Sequence, residues 1–232
     1  MRTPRLDGEE SRERLLHAAV ACFAEHGFSK TTTRMIATQA GVNIAAISYY
    51  FGDKAGLYRA AYTEPMGCAS DGTAQFDGQH LSLDQALHGL YSGFIEPLKQ
   101  EVLVQQCIRL HMREMVEPTG LWQQEIDQDI VPHQRALIQV LCRHYGLVQP
   151  DDDIYRLAFS IAALGVHMFV GRDISMKLHP HLMQGGAALD LMRERLVMYA
   201  RAMVDAEGAS RKSTPKKIAA KQAVPHTSMK AA

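Results

Sequence analysis

The sequence has no long apolar run, no closely paired cysteines and no catalytic signature. No stretch approaches the roughly 18 to 20 consecutive apolar residues that a membrane-spanning helix needs, and the N-terminal MRTPRLDGEESRERLL lacks the apolar centre of a signal peptide. A cytoplasmic protein with no membrane partner is expected. The four cysteines, Cys22, Cys68, Cys107 and Cys142, are far apart and form no C-x-x-C pair, which argues against a disulfide framework or a zinc knuckle. Buried free thiols are the simpler reading. The sequence also lacks a G-x-S-x-G elbow, a phosphate-binding loop, an H-E-x-x-H pair and a dinucleotide fingerprint. Asp151-Asp152-Asp153 suits a solvated helix start better than acid–base chemistry, so a non-enzyme without cofactor is expected. Among the histidines, the closest pair is His179-Pro-His181, which matches no i, i+4 zinc face and has no carboxylate or cysteine beside it. No metal is expected.

Net charge is missing too, since 25 Lys and Arg balance 25 Asp and Glu, which would argue against a nucleic-acid partner if the charges were spread evenly. They are not. Residues 1–63 carry 8 basic against 6 acidic side chains, residues 64–207 carry 11 against 19, and residues 208–232 carry 6 against none. An acidic middle flanked by basic ends implies that the ends approach phosphates and the middle does something else.

What is present is helical periodicity. The chain has 232 residues, 47% of them hydrophobic, which is ample for one large or two small cores. Leu16, Ala19, Val20 and Phe23 mark a first helix over 11–26 that Gly27 stops. Asp53 is placed to cap a fourth helix through Leu57, Ala60 and Ala61, and residues 66–80, rich in Gly, Ser, Asp and Thr, read as a loop. Ser82 then caps a helix running to about Leu98, and further helical patterns cover 102–116, 121–145, 154–171 and 187–204, with Pro132 kinking or dividing the third of these five. No period-2 run is long enough to claim a sheet. The fold class read from this pattern is all-α, with domains at 1–63 and 64–207 and a disordered basic tail at 208–232.

The stretch that carries function is TTTRMIATQAGVNIAAISYYFGDK, residues 31–54. Thr31 or Thr32 supplies a helix cap, Ile36, Ala37 and Ala40 form one apolar face, and Gly41 takes the positive φ of a sharp exit. Asn43 caps a second helix, over 44–51. Its Ala45, Ala46, Ser48 and Tyr49 lie largely opposite Val42, Ile47 and Tyr50 or Phe51. Small side chains allow close approach to base edges, and hydroxyls with Lys54 suit phosphate oxygens. That is a helix-turn-helix with an exposed reading face.

These residues resemble the N-terminal domain of TetR/AcrR-type transcriptional regulators, from F-A-E-H-G-F through T-T-T-R-M-I-A-T-Q-A-G-V to I-S-Y-Y-F-G-D-K-A-G-L-Y. R-E-M-V-E-P-T-G and the I-V-P-H segment are similar to the CecR-type subgroup. The resemblance implies a homodimer that binds a palindrome in double-stranded DNA and responds to a small-molecule effector, most often as a repressor. By position it implies contacts from Thr33 and Arg34 at the start of the first helix of the motif. Asn43, Ala45, Ala46 and Tyr49 follow on the second helix, and Lys54 would meet a phosphate; Ser48 joins this candidate set through its exposed hydroxyl. Tyr50 suits the groove and the interior equally. Ser48 stands where many members carry tyrosine, and Ala55-Gly56 stands where an acidic residue is common, which would loosen the next helix start.

For the middle segment, effector binding is what the resemblance implies. Gln106, His111, Met112, Met115, Trp122, Met168 and Phe169 mix soft apolar and polar side chains in a way that suits a pocket lining or a plain core. Leu189, Met192, Leu196, Tyr199 and Met203 recur at spacings of three and four, either to pair with a second subunit or to pack within their own domain. The tail would add salt-sensitive, non-specific DNA affinity. If it dominated, the protein would be a sequence-indifferent architectural DNA binder instead.

Overall fold

The computed structural model describes residues 4–65, 76, 78 and 80–213, and among them every regular element is a helix. The N-terminal head consists of α1 (Pro4–Lys30), α2 (Thr33–Ala40), α3 (Ala45–Phe51) and α4 (Lys54–Thr63). The body follows as α5 (Leu83–Lys99), α6 (Val102–Val116), α7 (Leu121–Glu125), a π-helical turn (Ile126–Ile130), α8 (Val131–Tyr145), α9 (Asp152–Val170), α10 (Arg172–Leu178), a 3-10 turn (Pro180–Leu182) and α11 (Gly186–Ser213). The expected loop at 66–80 falls almost wholly outside the described residues, as does Cys68.

Two cores hold these helices. Leu15, Ala19, Phe23, Ile36, Ile47 and Leu57 form that of the head, and Cys107 and Leu110 of α6 are buried with them. The body core gathers Leu87, Tyr91, Ile95, Leu141, Ile154, Ile161, Leu196 and Ala200, with the Tyr91 hydroxyl donating to the Ile161 carbonyl at 3.0 Å. Burial of that ring pushes the Tyr91 phenol pKa well above its ordinary value. Helix α6, which follows the head in the chain, thus contributes Cys107 and Leu110 to the core of the head.

Several helix ends follow the sequence. Ser82 and Gln85 form a reciprocal capping box, with Gln85 N donating to Ser82 Oγ at 3.2 Å and Ser82 N donating to Gln85 Oε1 at 2.9 Å. Others differ for identifiable reasons. Gly27, at φ 76 and ψ 171, breaks α1 as expected, but a further turn reaches Lys30 before Thr32 caps α2. Residues 121–145 run on without a gap, because the widened π turn precedes Pro132, which sits in the first turn of α8 where its missing N–H costs least.

Two expectations require correction. Helix α11 continues through Gly208 to Ser213, so the first six residues assigned to a disordered tail are helical. Arg211 anchors them with a bidentate bond to Asp151 (2.7 and 2.8 Å) and stacks over the Tyr145 ring. Residues 214–232 lie outside the described residues. Helix α9 does contain an apolar stretch long enough to cross a membrane, 19 residues with mean hydropathy 1.3. Its Ile154, Leu157, Ala158 and Ile161 line the body core, while Tyr155, Phe159 and Val170 remain exposed.

Candidate nucleic-acid interface

The helix-turn-helix is set by α2, Gly41 and α3. Thr32 Oγ1 accepts from Met35 N at 3.2 Å, whereas Thr31 is fully buried and donates to the carbonyls of Gly27 (2.7 Å) and Cys22 (3.1 Å), tying the motif to α1. Gly41 adopts φ 63 and ψ 36, a left-handed turn, and its N–H closes on the end of α2. Asn43 Oδ1 accepts from Ala45 N at 2.9 Å, so the expected cap is made two residues ahead of the formal helix start. Ile47 is buried beneath α3, and this fixes which side of the helix faces out.

On the outer side, Arg34, Asn43, Ala45 and Ser48 are exposed, Thr33 is half-buried, and Tyr49 stands 82% exposed. Ala46 does not share that face. It is half-buried and packs on the head core with Val42 and Phe51, because it lies one turn from Val42 and from Tyr50, on the side that meets the core. Tyr50 is also half-buried against that core, its ring edge-on to Tyr49 at 4.8 Å. Lys54 opens α4 as expected, yet its ammonium lies 4.4 Å from the Phe28 ring centroid, so in the unbound protein this charge rests on an aromatic face. The start of α4 is not loose either: Asp53 Oδ1 accepts from Gly56 N at 2.7 Å. A Cβ on Gly56 would lie 2.0 Å from the Phe51 carbonyl oxygen, which is why glycine fits there.

Behind this face is a junction that the sequence did not announce. Glu114 of α6 is fully buried and accepts from Tyr58 Oη at 2.6 Å, Thr119 N at 2.7 Å, Thr119 Oγ1 at 3.0 Å, Leu121 N at 3.1 Å and Trp122 N at 3.3 Å. One carboxylate thus caps α7 and holds α4. Burial first, and then this hydrogen bond, push the Tyr58 phenol upward. Arg113 adds donations to the α1 carbonyls of Ala24 (3.4 Å) and Glu25 (3.0 Å). The signal was available in outline: Glu114 continues the buried stripe of Cys107 and Leu110 at offsets 0, 3 and 7, and a carboxylate on such a stripe requires partners.

His111 completes the junction. Its ring stacks on Tyr62 of α4 at 4.0 Å, Nε2 lies 3.2 Å from the Tyr62 carbonyl and Nδ1 lies 3.0 Å from Glu125 Oε1. The carbonyl can only accept, so both contacts are hydrogen bonds only if the imidazole and carboxyl share two protons: imidazolium with carboxylate, or Nε2–H imidazole with a carboxylic acid. Burial favours the neutral pair. It lowers the His111 pKa to about 4, against the opposing charges of Asp129 and Glu114, and with Asp129 it raises the Glu125 pKa to about 7.

The other residues expected to line a pocket separate. Met112 and Phe169 meet in a cleft of about 210 Å³ between α5, α6, α9 and α10. Met168 is buried in the body core, and Trp122 sits beside Glu114. Gln106 and Met115 are half-buried on α6 and do not line the cleft. Met168 is therefore core, because consecutive residues of a helix point about 100° apart and of the two only Phe169 reaches the cleft. Among the described residues no three His, Cys, Asp or Glu side chains gather as metal ligands would.

The comparisons with known proteins cover both halves of the chain. Residues 15–61 match the pattern of bacterial regulatory proteins of the tetR family, and residues 83–206 match the C-terminal domain of the HTH-type transcriptional dual regulator CecR. A 55-residue stretch is 54% identical to that regulator from Shigella flexneri, spanning 24% of this chain and 24% of the relative. The fold is similar to that of a TetR-like transcriptional regulator from Rhodococcus sp. RHA1, at 20% identity and TM-score 0.57, over 87% of this chain and 99% of that one. It is also similar to SmeT, the repressor of the Stenotrophomonas maltophilia multidrug efflux pump SmeDEF, at 22% identity and TM-score 0.53, over 84% and 89% of the two chains. A helix-turn-helix head of one pattern and a body of the other, joined through α6, make this chain a member of the TetR family of bacterial regulatory proteins, with a C-terminal domain of the CecR type.

Proposed function

We propose that this protein is a ligand-responsive transcriptional regulator, in most settings a repressor, that binds a palindromic operator in double-stranded DNA as a homodimer in the cytoplasm. The observation that carries the reading is the outer face of α2 and α3. An almost fully exposed tyrosine, Tyr49, stands there with Arg34, Asn43, Ala45 and Ser48 around a buried Ile47, and a soluble head gains nothing from such a ring in water. Thr33, Ser48 and Lys54 would hold phosphates, while Arg34 is the long donor able to reach a base edge bidentately. Half-buried Ala46 and Tyr50 would act by supporting the helix.

Dimer formation is supported by an apolar surface on the body. Tyr155, Phe159 and Val170 of α9 and Leu191, Met198 and Tyr199 of α11 are all exposed, with Phe159 at 56% and Leu191 at 59%. Exposed apolar faces of adjacent helices suit pairing with their own copies. DNA would favour one separation of the two heads and an effector in the body another, so each weakens binding of the other by the same coupling energy. No catalytic role is assigned.

The test is footprinting of the purified protein on the DNA upstream of its own gene. Protection of one palindrome, persisting when the chain is ended after Ser213, is the expected result. Uniform protection without a preferred site, lost with the truncation, would instead fit a sequence-indifferent architectural binder.

A further inference from the structure

The cleft that unites Met112 and Phe169 has an unusual lining. Its walls are apolar, from Leu98, Ile108, Met112, Phe169 and Val170, and two guanidinium groups, Arg109 and Arg172, border it. Arg109 is exposed and has no hydrogen-bond or ion-pair partner among the described residues. Arg172 has a neutral one, Gln105, whose Oε1 accepts from Nη1 at 3.1 Å. The one carboxylate of the lining, Asp173, forms no ion pair with either arginine. Two positive charges thus stand over a greasy floor in a body that is acidic in total.

We propose that this cleft binds a small amphipathic organic anion, a carboxylate carried on an aliphatic or aromatic body, and that such an anion is the effector class. A carboxylate at Arg172 would replace a neutral amide acceptor with a charge-assisted, bidentate pair, and its apolar portion would cover Ile108, Met112 and Phe169. A cation of the same shape would meet two guanidiniums and is rejected. A neutral analogue gains the apolar contact alone.

The position of the cleft connects it to the head. Helix α6 gives Ile108, Arg109 and Met112 to the cleft and, on its other side, Cys107, Leu110 and Glu114 to the head. Material entering between α6 and α9–α10 bears on the helix whose Glu114 grips Tyr58 and whose Arg113 grips α1. That an anion would then alter DNA affinity rests on the DNA-binding reading above, whereas its binding to the cleft does not.

Calorimetric titration of the full-length protein with sodium octanoate, octanol and octylammonium chloride tests the proposal. Octanoate is expected to bind more tightly than octanol, and octylammonium least. Arg109→Ala and Arg172→Ala are each expected to weaken octanoate about tenfold or more while leaving octanol unchanged. Arg135→Ala, which removes a positive charge on α8 outside the cleft, is expected to keep octanoate binding, and unchanged thermal melting of each variant shows that the fold is intact. No octanoate binding, equal affinity for octanoate and octylammonium, or octanoate binding unaffected in the arginine double variant would each overturn the site. DNA titrations with and without octanoate then decide the regulatory half. Octanoate that binds through Arg109 and Arg172 yet leaves DNA affinity unchanged keeps the site and rejects its role as the effector site.

Discussion

Tyr58 of the head donates its hydroxyl to Glu114 of the body at 2.6 Å, with the carboxylate wholly buried between them. The same carboxylate receives the backbone N–H groups at the start of α7, so one buried side chain joins α4 to the body beside the His111–Tyr62 stack. Tyr58→Phe removes one donor and leaves the buried carboxylate under-satisfied. A loss of stability of about 1–3 kcal/mol in urea unfolding is expected. Glu114→Leu should cost more, since it strands the tyrosine hydroxyl and α7 together. A Tyr58→Phe protein as stable as the parent would show that the bond does not hold the two parts.

The His111–Glu125 pair predicts a pH signature. The folded pKa of Glu125, about 7, lies above its ordinary value, so the folded protein holds a proton there that the unfolded chain has released. Its contribution to stability is therefore full at low pH and is lost as pH rises to about 7. His111, lowered to about 4, acts in the opposite sense through the acid range, and the two largely cancel in the parent protein. Glu125→Gln keeps a donor for Nδ1 and removes the titration. The variant should match the parent near pH 5 and exceed it above pH 7 by on the order of 1–3 kcal/mol. Denaturant midpoints across that range check this, and a constant difference at all pH values would exclude the shared-proton arrangement.

Tyr49 and Lys54 should behave differently when removed. Tyr49→Ala is expected to change stability by less than about 0.5 kcal/mol, because the ring is mostly in water, while weakening operator binding. Lys54→Ala loses its contact with Phe28 as well as the phosphate contact proposed for it, so a small loss of stability should accompany the expected weakening of DNA binding. Arg34→Ala should reduce preference for the palindrome over random DNA by about 1–3 kcal/mol in competition titrations. Unchanged preference would move base reading elsewhere on the face.

The exposed faces of α9 and α11 predict a charge-sensitive assembly. Phe159→Glu with Leu191→Glu should turn a dimer into a folded monomer, measurable by sedimentation, with helicity retained because neither side chain is part of the body core. A parent protein that sediments as a monomer at micromolar concentration would refute the dimer.

By itself the sequence determined what depends on near neighbours. Helical periodicity, the Ser82 and Asp53 caps, the left-handed turn at Gly41 and the exposure of Tyr49 all follow from interactions within a few residues, and each is found in the structure. Tertiary structure alone decided the rest. Ala46 turned inward because α3 leans on the head core, and Gly56 is needed because the Phe51 carbonyl approaches it. Gly208 to Ser213 stayed helical because Arg211 finds Asp151, 60 residues away. Glu114, His111 and the arginine-lined cleft depend on partners from helices far apart in the chain. A pattern of spacings shows which face of a helix is apolar, but not which helix will meet it, and the coupling of head to body arises at those meetings.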